Sequence, residues 1–448
     1  MPVNLTQGSI LKNIAVFSIP YLAAYFLQTL YGLADLFIIG QYEGAKSITA
    51  VAVGSQAMHF LTVMIVGLAM GVTVLISKAV GAKNFRSISR ITGNTILLFS
   101  AVACISTVVL LFFCSSIVSI LQTPTEAVEE TKNYLKICFA GIPFIIAYNL
   151  IAAIFRGLGD SKHPMYFIAF ACILNIFLDF IFMGVLKWGA KGAALATIIA
   201  QALSVFISLI AAKKLHLGIP LTRRDFRIHK KILQAIWSIG SPIALQDGFI
   251  QVSFLFITMI ANSRGLEIAA AVGIVEKIIC FLFLVPSAML STISAIAAQN
   301  LGAGFHERAK KTLWAGTSIA VGIGIIFAVL FQFISEPSLK LFTSETAVIL
   351  FGVQYLRTYV IDCFFASIHF CFSGYFTACG YSIISFVHNL FSIILFRIPG
   401  TWLAAKYFPD SLYAMGLAAP LGSLFSVIVC VAVFIWLQKR IAKKSIMH

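Results

Sequence analysis

Long apolar runs follow one another along almost the whole chain, and each is long enough to cross a bilayer as an α-helix. Twelve can be counted, among them Ile14–Gly40 as the first and Pro164–Leu186 as the fifth. Hydrocarbon offers a peptide group no hydrogen bond, so each run has to satisfy its own backbone. The expected fold is therefore an all-α polytopic membrane protein of twelve transmembrane helices. With 60% hydrophobic and 11% charged residues the composition lies outside the globular range. The helices use up the chain and leave no room for a soluble catalytic domain.

The net charge of +16 does not point to nucleic acid, because of where the charge falls. If the N-terminus starts inside, twelve spans place the basic loop Lys213–Lys231 on the cytoplasmic side. Lys83, Arg86 and Arg90 fall there too, as do Arg308, Lys310, Lys311, Lys439, Arg440, Lys443 and Lys444. Glu126, Glu129 and Glu130 fall in an outer loop. This is the positive-inside bias of a polytopic protein with both termini cytoplasmic. The expected location is the plasma (inner) membrane, with the basic surface against anionic lipid headgroups. The first apolar run is long enough to span, so it reads as a helix and not as a cleaved leader. Nine cysteines are scattered singly and read as packing residues, and His59, His369 and His388 stand apart without ligand spacing.

The chain also repeats itself with a period of about 220 residues. Ser18-Ile19-Pro20 recurs as Gly240-Ser241-Pro242, Ala52-Val53-Gly54 as Ala271-Val272-Gly273, and Ala69-Met70 as Ala288-Met289. Val80-Gly81-Ala82 recurs as Leu301-Gly302-Ala303, and Tyr134-Leu135-Lys136 as Tyr355-Leu356-Arg357. Six spans repeated keep their orientation, so the expectation is two pseudo-symmetric six-helix lobes, parallel repeats about an axis normal to the membrane. The lobes are expected at 1–215 and 233–448, joined by a linker at 216–232 that carries Gly218 and Pro220 as helix breakers. Two lobes enclosing one cleft would be complete as a monomer.

Two acids interrupt the apolar runs: Asp35 in the first and Asp179 in the fifth. A carboxylate at membrane depth costs several kcal/mol and persists where it handles a proton, a cation or a partner. Asn175 and Asp179 are four apart and share a helical face. Two carboxylates with an amide and a hydroxyl would offer Na⁺ hard oxygen ligands, or share a proton. The alternative is a hydrogen-bonded cluster that pins helices together. The seventh run has a polar patch of Gln246, Asp247 and Gln251, which could attract a cationic substrate, titrate, or pair across helices with Arg397. Asp362 is expected near the outer end of its span and partly solvated, and Arg397 is expected to support the backbone freed by Pro399. No nucleophile elbow, His-Glu-x-x-His or carboxylate–histidine set is present, so the chain is expected to be no enzyme and to need no cofactor.

Several of these residues carry a family resemblance. Gln28, Ala34-Asp35 and Gly40, Gly81-Ala82-Lys83, Arg156-Gly157-Leu158-Gly159-Asp160, Asn175 with Asp179, Gly192-Ala193-Ala194 with Thr197, and Arg397-Ile398-Pro399 occur in order across the spans. In this the chain resembles the multidrug and toxic compound extrusion (MATE) transporters, in particular their DinF-like branch. The resemblance implies efflux of organic, often cationic and amphipathic compounds against Na⁺ or H⁺ entry. It implies a cation site at Asp35, Asn175, Asp179 and Thr197, with Tyr134 contributing, and no resident metal. Gln28, Asp247 and Gln251 are candidates for the substrate cleft. The nearest rival is a lipid-linked precursor flippase of the same superfamily, whose members typically have fourteen spans and a more cationic cavity.

Overall fold

The computed structural model describes residues 4–215 and 221–446, and they are helical with no strand among them. Gly218 and Pro220 of the expected linker lie outside the described residues. Among the described residues ten helices are long and apolar enough to cross a membrane unbroken. In chain order the first, second and third spans are Ile10–Tyr42, Ala45–Gly81 and Phe85–Phe112. The fifth and sixth are Lys162–Val185 and Gly189–Lys214. The seventh, eighth and ninth are Lys230–Asn262, Leu266–Gly302 and His306–Lys340. The eleventh and twelfth are Ser382–Tyr407 and Tyr413–Lys439. The fourth and tenth are bent pairs, Thr125–Ala140 with Ile142–Gly157 at 47° and Thr346–Tyr359 with Asp362–Cys379 at 40°, which brings the count to twelve.

The surface explains why this is a multi-pass membrane protein. Large apolar side chains point outward in numbers that water would not tolerate, with Phe112 80% and Phe333 76% exposed. Polar side chains turn inward and bond to backbone carbonyls of neighbouring spans. Thr73 Oγ1 donates to the Ala153 carbonyl at 3.1 Å, and Ser294 Oγ to the Gly374 carbonyl at 3.0 Å. These two bonds sit at the same offset as Tyr134 and Tyr355, so the sequence repeat is also a packing repeat.

The irregular turns repeat as well. The fourth span breaks at Gly141, where Pro143 follows in the first turn of the new helix and has no N–H to bond backwards. The tenth breaks at the corresponding point, ahead of Asp362. The fifth and eleventh spans each contain a π-helical stretch, Phe180–Val185 directly after Asp179 and Ile393–Arg397 ending on Arg397. A π turn frees a backbone group and re-aims the side chains beside it, and such turns gather at functional sites.

The chain divides into two compact units. One contains Ala15–Ala244, with its core around Val72, Ile76, Phe139, Ile146 and Ala193. The other contains Leu245–Leu301 and the chain from Phe305 onward, with its core around Val272, Ile279, Leu356, Tyr359 and Leu412. The first half of the seventh span thus belongs to the first unit. Asn94 on the third span is one reason. Its Nδ2 donates to the carbonyls of Asp225 at 3.2 Å and Arg227 at 3.1 Å, and its Oδ1 accepts from the His229 N–H at 2.8 Å. Gly93 beside it lets the strap lie close, since a Cβ there would come within 2.7 Å of the Asp225 carbonyl carbon. Asp225 caps the strap's own 3-10 turn through Thr222, whose hydroxyl and N–H hold that carboxyl below the usual carboxylate range.

Candidate functional site

Five spans of the first unit bring polar side chains to one place: Tyr31 and Asp35 from the first, Ser55 from the second, Tyr134 from the fourth, Asn175 and Asp179 from the fifth, and Thr197 from the sixth. Asp35 is 2% exposed, and Asn175 and Asp179 are fully buried. Asp35 faces Asp179, Asn175 and Thr197, and Asp179 feels the charge of Asp35. Tyr31, one helical turn before Asp35, lies within reach of both acids and of Thr197, and Tyr134 lies within reach of Asp35 and Tyr31.

What this cluster lacks is hydrogen bonds made to its acids. Thr197 Oγ1 is 3.4 Å from Asp35 Oδ2 but 2.9 Å from its own Ala193 carbonyl, and a hydroxyl has one proton to give. The shorter bond takes it. Ser55 Oγ likewise gives its proton to the Val51 carbonyl at 2.5 Å, so at 3.3 Å it is the Tyr134 hydroxyl that donates to Ser55. Asp35 Oδ1, both oxygens of Asp179, both amide atoms of Asn175 and the Tyr31 hydroxyl are buried with no hydrogen-bond partner. Among the described residues no lysine or arginine acts on either acid. Two carboxylates so placed cannot both stay charged in a low dielectric without a cation between them. Oxygen is the ligand that Na⁺ prefers, and a shared proton is the other way to neutralise the pair.

The backbone makes room for this arrangement. Gly54 faces the Tyr134 ring, and a Cβ there would lie 2.6 Å from Tyr134 Cε1, well inside van der Waals contact. The π turn after Asp179 aims that side chain at the end of a regular helix, where the next carbonyl bonds are displaced.

The second unit holds a different polar centre, and several expectations change there. Asp362, expected to be partly solvated, is fully buried, because the break in the tenth span places it at the start of an interior helix. Arg397 is 4% exposed and donates through Nη2 to Asp362 Oδ2 at 3.0 Å and to Ser423 Oγ at 3.2 Å. It is therefore Asp362 that Arg397 pairs with, not Asp247. Tyr355 and Tyr359, with ring centroids 5.4 Å apart, lie within reach of both charges. Glu276 on the eighth span, not singled out from sequence, has one oxygen 3.3 Å from Thr258 Oγ1, whose proton goes to the Phe254 carbonyl at 2.9 Å, and buries the other without a partner. His369 and His388, expected to stand apart, are buried with rings 5.7 Å from each other, and His388 Nε2 lies 3.0 Å from Ser373 Oγ.

The remaining candidates are dispersed. Gln28 is half-buried in the first unit, and Asp247 and Gln251 are half-buried in the second. Tyr31 is the contributor that sequence reading overlooked, although its spacing of one turn from Asp35 was the signal for it.

Comparison with known proteins places this architecture. A family model described as MatE matches residues 20–181 and again 242–403, once in each half. The chain is 28% identical over 424 residues to the probable multidrug resistance protein YpnP of Bacillus subtilis (strain 168), covering 94% of each chain. It is 25% identical over 377 residues to the multidrug export protein MepA of Staphylococcus aureus (strain NCTC 8325 / PS 47), covering 84% of this chain and 83% of that one. A solved structure, the outward-facing conformation of a multidrug resistance MATE family transporter of the MOP superfamily, shares the fold with a TM-score of 0.89 at 22% identity, over 99% of this chain and 98% of the other.

Proposed function

The chain belongs to the MatE family of membrane transporters, and from that premise we propose that it exports amphipathic organic compounds, cations foremost, in exchange for Na⁺ or H⁺ bound at Asp35 and Asp179. The observation that carries this reading is the pair of buried carboxylates with three of their four oxygens unpartnered and, among the described residues, no lysine or arginine acting on them. Such a pair has a strong preference for one added positive charge, and a gradient of that charge across the membrane is then a source of work. The relatives named as multidrug resistance and export proteins support the substrate class.

In this mechanism the cation enters from outside and neutralises the two acids, drawing Asn175, Thr197 and Tyr31 inward as oxygen ligands. The first span carries Asp35 and, deeper along the same helix, Pro20, where a missing backbone bond lowers the resistance to bending. Cation occupancy favours the conformation that releases substrate outside, and its departure to the cytoplasm resets the cycle, so each ligand acts through its different affinity for the two states. The basic loops support an orientation with both termini in the cytoplasm of a cell whose plasma membrane holds the protein.

The test is efflux of a fluorescent organic cation from proteoliposomes holding the purified chain, with a Na⁺ gradient and a pH gradient imposed separately. Efflux driven by one gradient and abolished by Asp35→Asn is the expected result and names the ion. Movement that ignores both gradients, or that is unchanged in Asp35→Asn, would remove the coupled-exporter reading and favour the precursor flippase.

A further inference from the structure

The two units are built on one repeat, yet the positions matching Asp35 and Asp179 in the second copy are close to Ile257 and Gly400, and neither can hold an ion with its side chain. The second unit still contains a buried acid, on the tenth span, the counterpart of the fourth. Asp362 opens the interior half of the bent tenth span, as Gly141 sits at the break of the fourth. Arg397 ends a π turn in the eleventh span, three residues before Gly400, whereas the π turn of the fifth span begins directly after Asp179. Ser423 lies on the twelfth span, the counterpart of the sixth that carries Thr197, about one turn further along, and Tyr355 repeats Tyr134. The same scaffold elements that gather oxygen ligands in the first unit therefore gather, in the second, oxygen ligands already holding a guanidinium.

We propose that Arg397 is a tethered cation: it fills in the second unit, permanently and covalently, the role that a mobile coupling ion fills in the first, and so limits the transporter to a single ion-responsive centre. This rests on the coupled-exporter reading for its consequence, but the pairing itself does not. Arg397 Nη2 reaches Asp362 and Ser423 at hydrogen-bond distance, and the pair is almost wholly excluded from solvent. The groups that act on it are Tyr355, Tyr359 and His369 on the tenth span, while Glu276 and Cys280 on the eighth act on Tyr359. Of these only His369 could carry a second positive charge, and it is buried with its ring 5.7 Å from that of His388. An arginine there cannot be lost to solution or deprotonated, so Asp362 stays neutralised at any Na⁺ concentration and across the working pH range.

The experiment reads the cation dependence of thermal unfolding of the purified full chain in detergent, because a ligand that binds only the folded state raises the melting temperature. Melting is recorded with Na⁺ or with a large organic cation in its place, and at neutral and acid pH. In the wild type a rise of a few degrees with Na⁺ or acid is expected, and Asp35→Asn is expected to lose it entirely. Adding Arg397→Gln to Asp35→Asn should restore a cation-dependent rise, now also given by millimolar guanidinium, and a further Asp362→Asn should abolish it again. A rise that survives in Asp35→Asn and disappears on Asp362→Asn or Glu276→Gln would overturn the proposal, as the second unit would then bind a mobile ion. A folded Asp35→Asn/Arg397→Gln protein that responds to none of the three cations would overturn it equally. Where Arg397→Gln does not fold, the charge-free pair Asp362→Asn/Arg397→Gln decides: near wild-type melting supports mutual neutralisation, and failure to fold shows a further role for Arg397 and contradicts it. A wild type without any rise, beside a gain in Asp35→Asn/Arg397→Gln, would sink the coupling reading of the first unit and leave the tethered cation standing.

Discussion

The polar centre of the first unit and that of the second start from the same repeat and reach opposite electrostatic solutions. In the first, two carboxylates, an amide and hydroxyls face one another with no base and few donors. In the second, an arginine donates to a carboxylate at 3.0 Å and to a serine hydroxyl at 3.2 Å. A buried charge needs compensation in either case. The difference teaches that a centre left incomplete by its own protein is the one positioned to respond to something outside it, whereas a centre that compensates itself is insulated. Pseudo-symmetry of fold thus coexists with asymmetry of function.

The largest effect expected follows from removing the acids of the first unit. Asp35→Asn or Asp179→Asn should lower gradient-driven efflux by about a hundredfold, equivalent to about 2.8 kcal/mol, measured as initial rates in proteoliposomes. Equal loss on Asp362→Asn would erase the contrast between the units. Next comes Arg397→Gln, which leaves Asp362 buried and unpaired. It should destabilise the fold by about 3–5 kcal/mol, most of it regained in Asp362→Asn/Arg397→Gln, as read from melting in detergent. Third, Asn175→Ala is expected to weaken cation affinity about tenfold without changing melting in the absence of the ion, as read from the Na⁺ or proton concentration giving half-maximal efflux. The smallest effect sharpens the comparison most finely. Tyr134→Phe should shift that half-maximal concentration by about threefold, the scale of a single hydroxyl near a charge, while the repeat-equivalent Tyr355→Phe should leave it unmoved.

Much of this was legible in the sequence, and the reasons are physical. Hydrocarbon forces long apolar runs into helices, so span number followed from run length, and the repeat appeared because both copies keep the same small residues at close helix crossings. Asp35, Asn175 and Asp179 stood out because acids are rare in such runs and because helical spacing puts Asn175 over Asp179, and the family resemblance added Thr197 and joined them into one site. Asp362 and Arg397 could not be paired from sequence. Their meeting depends on the break ahead of Asp362 and the π turn ending on Arg397, which rotate both side chains off the faces a regular helix would give them. The closeness of His369 and His388 escaped notice for a similar reason, since they come from two spans and only packing joins them. The strap held by Asn94 was hidden because its three bonds go to backbone groups, which a side-chain pattern does not reveal.

The most direct test of the central claim is to count the coupling cations bound per chain, by equilibrium binding of radioactive Na⁺ and by proton uptake in weak buffer, in the wild type and in Asp179→Asn. A single saturable cation that vanishes in Asp179→Asn is the predicted result. Binding that persists undiminished in Asp179→Asn, or a second equivalent lost only when Asp362 or Glu276 is neutralised, would contradict it.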